Sequence, residues 1–209
     1  MGNNLNTNTA QTMPDVREED QLRADMYSFI ANMIRTEPSQ ELIDSVKSLS
    51  GDSSSIGSSI KLISKLASTM HISEIQDEYV NLFLGVGRGE LLPFASYYLT
   101  GFLNDKPLSK LRDDMNKIGV VRVKDVKEPE DHISSLFDIM SGLITGKFGK
   151  VYSIQEQTVF FEKHLNSWVH LLMSDIESAK TAVFYAPIGS LGNEFINIER
   201  EAFRMNVSG

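Results

Sequence analysis

Apolar residues recur at a helical spacing along most of this chain, and this pattern constrains the fold more than any other feature. The first stripe comprises Leu22, Met26, Phe29, Ile30 and Met33. Residues three or four positions apart share one face of an α-helix, so each stripe predicts a helix with one buried side. Only residues 119–128 show a faint period of two, with no second strand nearby. We therefore predict an all-α fold, a single globular helical domain of about eight or nine helices.

Helix start signals precede several of these stripes. Ser153 followed by Glu156 forms a capping box, from which we predict one continuous helix to about Asp175. The same signature begins at Ser73 and predicts a helix start there. The Ser/Gly-rich stretch 48–59 is instead predicted to be a loop.

Composition shifts along the chain predict its organisation. Residues 1–13 are rich in Asn and Thr and are predicted to form a disordered tail. An N-terminal helical subdomain is predicted over 14–118, an extended hinge over 119–128 and a C-terminal helical subdomain over 129–209. Such a hinge would permit either a monomer or a domain-swapped dimer.

The charge balance and the lack of cysteine exclude several function classes. Lys and Arg total 20 against 28 Asp and Glu, giving a net charge of −8. This disfavours a nucleic-acid binder and suits a cationic partner. The chain has no Cys, which excludes disulfides and thiolate ligands and is typical of a cytoplasmic protein. No signal-peptide pattern and no apolar run of ~20 residues is present, so stable membrane insertion is not expected.

The segment KEPEDHISSLFDIM places acids, a proline and a histidine in front of an apolar helical stripe. Residue preferences at helix starts explain most of this segment, since Pro129 suits the first helical position and Glu128 suits the N-cap. We therefore predict a helix over 129–145. These preferences do not explain His132, and a functional role for Asp131 and His132 stays open.

The chain carries little that indicates catalysis or metal binding. Its histidines are His71, His132, His164 and His170. His164 and His170 are six residues apart and face different sides of a helix, whereas zinc pairs on helices favour a spacing of four. The glycine-rich GVGRGE at 85–90 lacks the strand and the Gly-Lys-Ser/Thr ending of a phosphate loop. We predict no catalytic residues, no metal site and no cofactor.

Three blocks of sequence resemble the TorD/DmsD family of redox-enzyme maturation chaperones. EYVNLF…GRGELLPFASYY at 78–98 is similar to the family's Y-x-x-L-F…P-x-x-S-x-Y block. EPEDH at 128–132, followed by Met140, resembles its E-P-x-D-H-x7-M signature. FFEKHLNSWVHLLMSDI at 160–176 resembles its third block, although residues 171–173 stand where an aromatic is frequent.

The resemblance implies a cytoplasmic, all-helical, non-enzymatic chaperone. Proteins of this family bind the twin-arginine leader and the apo catalytic subunit of a molybdenum oxidoreductase, and delay its export until the molybdopterin cofactor is inserted. The implied client-binding residues are Tyr79, Leu82, Phe83, Pro93, Phe94, Glu128, Pro129, Glu130, Asp131 and His132. Formate dehydrogenase is slightly favoured as the client over reductases of trimethylamine oxide, dimethyl sulfoxide or nitrate.

The chemistry of a twin-arginine leader fits these residue types. Its guanidinium groups need carboxylates, which Glu128, Glu130 and Asp131 would supply. Its apolar segment needs a groove, for which the family's aromatic and leucine positions are the candidates. His132 would titrate near neutrality and link binding to pH.

Two other functions remain open at this stage. The first is a nucleotide-binding regulatory switch that uses GVGRGE, and it predicts measurable nucleotide affinity. The second is a structural subunit of a membrane redox complex, and it predicts permanent association with the mature assembly.

Overall fold

A computed structural model describes residues 16–85, 89–121 and 128–207, and these ranges contain ten α-helices and one π-helical turn. The helices are α1 (Glu18–Arg35), α2 (Gln40–Lys47), α3 (Ser55–Thr69), α4 (Ile72–Tyr79), α5 (Ala95–Thr100), α6 (Lys106–Lys117), α7 (Ile133–Thr145), α8 (Ile154–His164), α9 (Val169–Ser178) and α10 (Ala186–Val207). The π-helical turn (Val80–Leu84) continues α4. The all-α prediction is confirmed, with ten helices instead of eight or nine.

One hydrophobic core joins the two halves of the chain. Helix α1 packs along α7, and α10 packs against both α9 and α3. Tyr27 of α1 makes edge-on contacts with Phe137 of α7 and Phe195 of α10, at ring-centre distances of 5.1 and 4.7 Å. Such a shared core is what the single-domain prediction requires.

The predicted division into tail, hinge and subdomains stays a prediction. The tail over 1–13 lies outside the described residues, as does most of the hinge, residues 122–127. The described helices on both sides of the hinge contribute to the same core.

A buried ion pair also ties α1 to α10. The Arg23 guanidinium donates from Nε and Nη2 to the two carboxylate oxygens of Glu199, at 2.7 and 2.8 Å. The hydroxyl of Tyr27 donates to the same carboxylate at 2.9 Å. This set of hydrogen bonds satisfies the buried charge of Glu199 and fixes the register of the two helices.

Several predicted helix boundaries are wrong, each for a local reason. The helix predicted from Ser153 to Asp175 is two helices, because the chain turns over 165–168 and the Trp168 indole N–H donates to the His164 carbonyl at 2.7 Å. The loop predicted over 48–59 ends early, because the Ser54 hydroxyl caps α3.

The helix start predicted at Ser73 is also misplaced. Helix α4 has its N-cap at His71, whose backbone N–H donates to the Glu74 carboxylate at 2.8 Å. The capping box therefore uses His71 and Glu74, two residues before the predicted pair. The short helix α5 was not anticipated, because its six residues are too few to show a periodic stripe.

Candidate functional site

Two of the three resemblance blocks meet through backbone pairing. Residues 93–95, just before α5, run antiparallel to residues 131–133, just before α7, around a bridge between Phe94 and His132. One N–H···O bond on each side of the bridge measures 2.9 and 3.0 Å. The EPEDH segment (residues 128–132) is therefore held in place by the first block, not by a helix of its own.

His132 is the N-cap of α7, which corrects the predicted helix start at Pro129. Its ring Nδ1 accepts a hydrogen bond from the backbone N–H of Ser134 at 3.2 Å and lies 2.7 Å from the Ser134 hydroxyl. Glu128 and Pro129 consequently precede the helix as an irregular segment. The physical reason is that the backbone N–H groups in the first turn of a helix lack intrahelical acceptors. The His132 imidazole accepts from one of them, whereas the preference for proline at a helix start supplies no such acceptor.

The expectation that His132 titrates near neutrality is also wrong. Its ring is 5% exposed and packs edge-on against Phe94 at 5.0 Å between ring centres. Burial, followed by the positive charge of Arg35, lowers the pKa of His132 to about 4. The imidazole is therefore neutral at physiological pH, and its part in the site is structural.

Asp131 is fully buried and only half satisfied. Its Oδ2 accepts a hydrogen bond from the backbone N–H of Ser96, in the first turn of α5, at 2.8 Å. Its Oδ1 has no hydrogen-bond partner among the described residues. A buried carboxylate oxygen without a donor is costly, which makes Oδ1 of Asp131 a candidate acceptor for a ligand.

Glu130 carries an ion pair with the chain's own arginine. The Arg112 guanidinium of α6 donates from Nη2 to Oε2 at 2.8 Å and from Nε to both carboxylate oxygens at 3.1 and 3.2 Å. The Glu130 side chain is 10% exposed, whereas that of Arg112 is 47% exposed. Glu128 is exposed and lies on the same cleft as Glu130.

The three resemblance blocks converge on one small pocket. Its volume is about 100 Å³, and it lies between α5, α6 and α8. Its walls include Ala95 from the first block, Asp131 from the second, and Lys163 and His164 from the third. The EPEDH segment thus supplies the buried carboxylate, and the walls around it carry the basic side chains of Lys110 and Lys163.

The third block is anchored to α6 by an ion cluster. His164 Nε2 lies 2.9 Å from Asp114 Oδ2, and Lys117 and Lys163 pair with the same carboxylate. Burial opposes ionisation of Asp114, but hydrogen bonds from Lys117, Lys163 and His164 together hold its pKa well below the ordinary value. The cluster fixes α8 against α6 on one side of the pocket.

The aromatic residues expected to form an apolar groove lie in the core. Leu82 is completely buried, and Tyr79 and Phe83 pack on each other at 5.1 Å between ring centres. Burial, followed by the charges of Glu128 and Glu37, raises the pKa of Tyr79 to about 12. These three residues form the buried side of the first block, whereas the partly exposed Phe94 contacts the EPEDH segment.

Glu78 is a structural residue that sequence reasoning missed. Its carboxylate accepts hydrogen bonds from the backbone N–H groups of Val183, Phe184 and Tyr185 at 2.8, 3.0 and 2.7 Å. It thereby provides acceptors for the backbone N–H groups of the turn that leads into α10. A glutamate one position before the Tyr79 stripe was the available signal, but a buried charge cannot be recognised from spacing alone.

The remaining predictions concern absent features. GVGRGE falls partly outside the described residues, since 86–88 are not among them. Within the described ranges, no cluster of three metal-ligating side chains is found. No helix in the described part of the chain is long and apolar enough to cross a membrane.

Comparison with known proteins finds relatives over most of the chain. The family described as nitrate reductase delta subunit matches residues 51–174. The chain is 27% identical over 212 residues to a Chaperone protein TorD from Vibrio atlanticus, covering 90% of this chain and 98% of the relative. A Chaperone protein TorD from Vibrio cholerae is 28% identical over 177 residues, covering 75% and 80%.

A solved structure shares the fold. It is described as a redox enzyme maturation protein from Archaeoglobus fulgidus and superposes with a TM-score of 0.58. The match covers 84% of this chain and 94% of that chain at 20% identity. At this identity the likeness concerns the fold alone.

Proposed function

We propose a leader-binding function on one premise: the chain belongs to the nitrate reductase delta subunit (TorD) family and is a redox-enzyme maturation chaperone. Its client is the apo catalytic subunit of a molybdenum oxidoreductase. The chaperone binds the twin-arginine leader of this client and holds it back from export until the molybdopterin cofactor is inserted. The chain itself performs no catalysis.

The observation that carries this proposal is the convergence of the three blocks on the pocket around Asp131. A guanidinium is planar, always charged and rich in N–H donors. The unpartnered Oδ1 of Asp131 is a matching acceptor, and a charge-assisted hydrogen bond in a buried pocket is strong. A volume of about 100 Å³ suits a single such group rather than a whole side chain.

The charges around the site are mixed: Lys110 and Lys163 line the pocket together with Asp131, and the acidic support for a basic ligand comes from Glu128 and Glu130. Glu128 and Glu130 precede Asp131 in the chain and line a neighbouring cleft. The net charge of −8 adds a long-range attraction for a basic peptide. We propose that one leader arginine binds Asp131 and that the adjacent arginine binds next to Glu130.

Affinity purification from the host tests this proposal. The tagged chain is isolated from cells grown under anaerobic respiration, and the bound proteins are identified by mass spectrometry. We expect a leader-bearing precursor of a molybdenum enzyme in the wild-type sample and its loss with Asp131→Asn. The matched control is Asp77→Asn, which changes an exposed carboxylate on α4.

Three results would contradict the proposal. A bound nucleotide in place of a precursor would favour a nucleotide-dependent switch. Recovery of only a mature membrane complex would favour a structural subunit. Recovery of the same precursor with Asp131→Asn as with the wild-type chain would remove Asp131 from the site.

A further inference from the structure

A second cavity is lined by Glu128 and Glu130 of the EPEDH segment. This cleft has a volume of about 300 Å³. Its apolar wall is formed by Met115, Val120, Val121, Ile139 and Phe148, and its rim carries Glu128, Glu130 and Asp138 together with the basic Arg35 and Lys147. Arg35 donates to both carboxylate oxygens of Asp138, at 2.8 and 2.7 Å, so the charge of Asp138 is already paired. The carboxylates of Glu128 and Glu130 lie beside this apolar wall, which suits a peptide in which basic residues precede an apolar segment.

The acid nearest to Asp131 on this rim is already bound by a guanidinium. The Arg112 guanidinium donates hydrogen bonds to the Glu130 carboxylate in the two-pronged arrangement that arginines commonly make with carboxylates. The hydrogen bond to Glu130, then the charges of Glu130 and Asp131, raise the pKa of Arg112. Arg112 therefore occupies the electrostatic position that an arginine of a bound peptide would need.

The two partners of this ion pair differ in how firmly they are held. Glu130 is nearly buried beside the backbone pairing of the EPEDH segment, while about half of the Arg112 side chain is exposed. The guanidinium can leave without uncovering buried space, whereas the carboxylate stays in position. A leader guanidinium that takes the place of Arg112 keeps the Glu130 carboxylate paired, so the exchange leaves no buried charge without a partner.

We infer that Arg112 is an internal stand-in for an arginine of the client: binding of the twin-arginine leader displaces the Arg112 guanidinium from Glu130 and places the apolar segment of the leader in this cleft. The inference rests on the proposed leader-binding function. In the free chaperone, Arg112 gives the nearly buried Glu130 carboxylate a bidentate cationic partner. Arg112 also competes with the leader for Glu130. A peptide with one arginine displaces it less easily than a peptide with two adjacent arginines.

Removal of the competitor should strengthen binding, which is the opposite of what an ordinary binding residue would show. The probe is a labelled synthetic peptide with the twin-arginine leader sequence of a molybdenum-enzyme precursor from the host, and binding is measured by fluorescence anisotropy. We expect Arg112→Gln to bind this peptide roughly twofold to fivefold more tightly than the wild-type chain, the range that an exposed ion pair can offset. A twin-lysine version should gain less, because an ammonium cannot fork a carboxylate.

Arg17→Gln is the matched control for net charge. Arg17 pairs with Asp20 at the start of α1 and is 74% exposed. The substitution changes the net charge as Arg112→Gln does, without touching the cleft. An equal gain in both variants would show a general charge effect and overturn the inference.

Phe148→Ala tests the apolar half of the cleft. We expect it to weaken binding of the full leader peptide severalfold and to leave a short peptide with only the twin arginines unaffected. Equal loss for both peptides would contradict the proposed place of the apolar segment.

The outcomes separate the two proposals. If the wild-type chain does not bind the leader peptide, the proposed function fails and this inference falls with it. If the wild-type chain binds but Arg112→Gln binds equally or more weakly, only the stand-in role of Arg112 is overturned. If circular dichroism shows Arg112→Gln to be unfolded, Arg112→Lys decides: it keeps a charge beside Glu130 without the fork, and tighter binding than wild type supports the inference while equal or weaker binding overturns it.

Discussion

Glu78 and Asp131 are both buried carboxylates in resemblance blocks, but their oxygens meet different surroundings. Glu78 accepts three backbone N–H groups from the turn before α10, so its charge is used within the fold. Asp131 accepts one N–H group, from Ser96, and its other oxygen has no donor in the described part of the chain. The hydrogen bonds of the first carboxylate are complete within the fold, whereas the second keeps the oxygen that we propose as an acceptor for the leader.

From this difference we expect Glu78 to contribute to stability and Asp131 to contribute to binding. A carboxylate whose hydrogen bonds are complete should affect folding when it is changed. A carboxylate that is buried without a full set of donors should affect folding little and binding strongly. The following substitutions test this distinction.

Glu78→Gln should have the largest effect on stability. The amide oxygen can still accept from Val183 and Tyr185, which share one oxygen of Glu78, but the NH2 group faces the backbone N–H of Phe184, so this buried donor loses its partner. We expect a loss of about 3 kcal/mol in the free energy of unfolding. Urea unfolding followed by circular dichroism measures it, with Asp77→Asn on the same helix as the control. A loss below about 1 kcal/mol would mean that Glu78 is not structural.

His132→Asn should remove a pH dependence from the same region. The pKa of the folded imidazole is about 4 against an ordinary 6.5, so between these values the unfolded state binds more protons. Stability contributed by the neutral ring is therefore present above pH 6.5 and is lost as the pH falls to 4. Asn keeps the N-cap acceptor for Ser134 but does not titrate.

The expected difference between the two chains follows from the pKa shift. Between pH 7 and pH 4 the wild-type chain should lose about 3 kcal/mol more unfolding free energy than His132→Asn. Urea unfolding at a series of pH values measures this difference. Parallel curves for the two chains would show that His132 is not the titrating group.

Gly142→Ala should change the wall of the cleft rather than its charges. A Cβ at Gly142 would lie 2.5 Å from the Phe148 ring, so the ring must move. We expect a net loss of about 1 kcal/mol, because overpacking exceeds the gain in helix propensity. In a Phe148→Ala background the same change should instead stabilise, and thermal unfolding of the four chains would show this reversal of sign. A loss that persists without the ring would place the strain elsewhere.

Asp131→Asn should have the smallest effect on stability. The side-chain oxygen of Asn can still accept from Ser96, and the change removes an incompletely paired buried charge. We expect the free energy of unfolding to stay within about 1 kcal/mol of wild type or to rise slightly. A loss as large as that of Glu78→Gln, in the same urea experiment, would erase the distinction between the two carboxylates.

The helical fold could be predicted from sequence because the apolar stripes have the right period. The interruption between α8 and α9 could not, since it depends on the Trp168 indole reaching the His164 carbonyl. The start of α7 was misplaced because Pro129 and the acids fit a helix start equally well in sequence. Only the tertiary pairing with residues 93–95 decides in favour of His132.

The contacts around the candidate site were predictable in part. Resemblance identified the EPEDH segment, and the structure brings it against Pro93 and Phe94. The apolar stripe of Tyr79, Leu82 and Phe83 gave no means to distinguish a core face from a ligand groove, because both have the same period. The ion pair between Arg112 and Glu130 joins residues 18 positions apart, and no sequence pattern signals such a contact.

The most direct test of the account is a calorimetric titration of the leader peptide into the wild-type chain and into Asp131→Asn. The account predicts measurable binding to the wild-type chain and an affinity at least about tenfold lower for Asp131→Asn, the loss of one charge-assisted hydrogen bond. The far-ultraviolet circular dichroism and unfolding free energy of both samples should agree. Equal affinities in two folded samples would contradict the assignment of the Asp131 pocket to the leader.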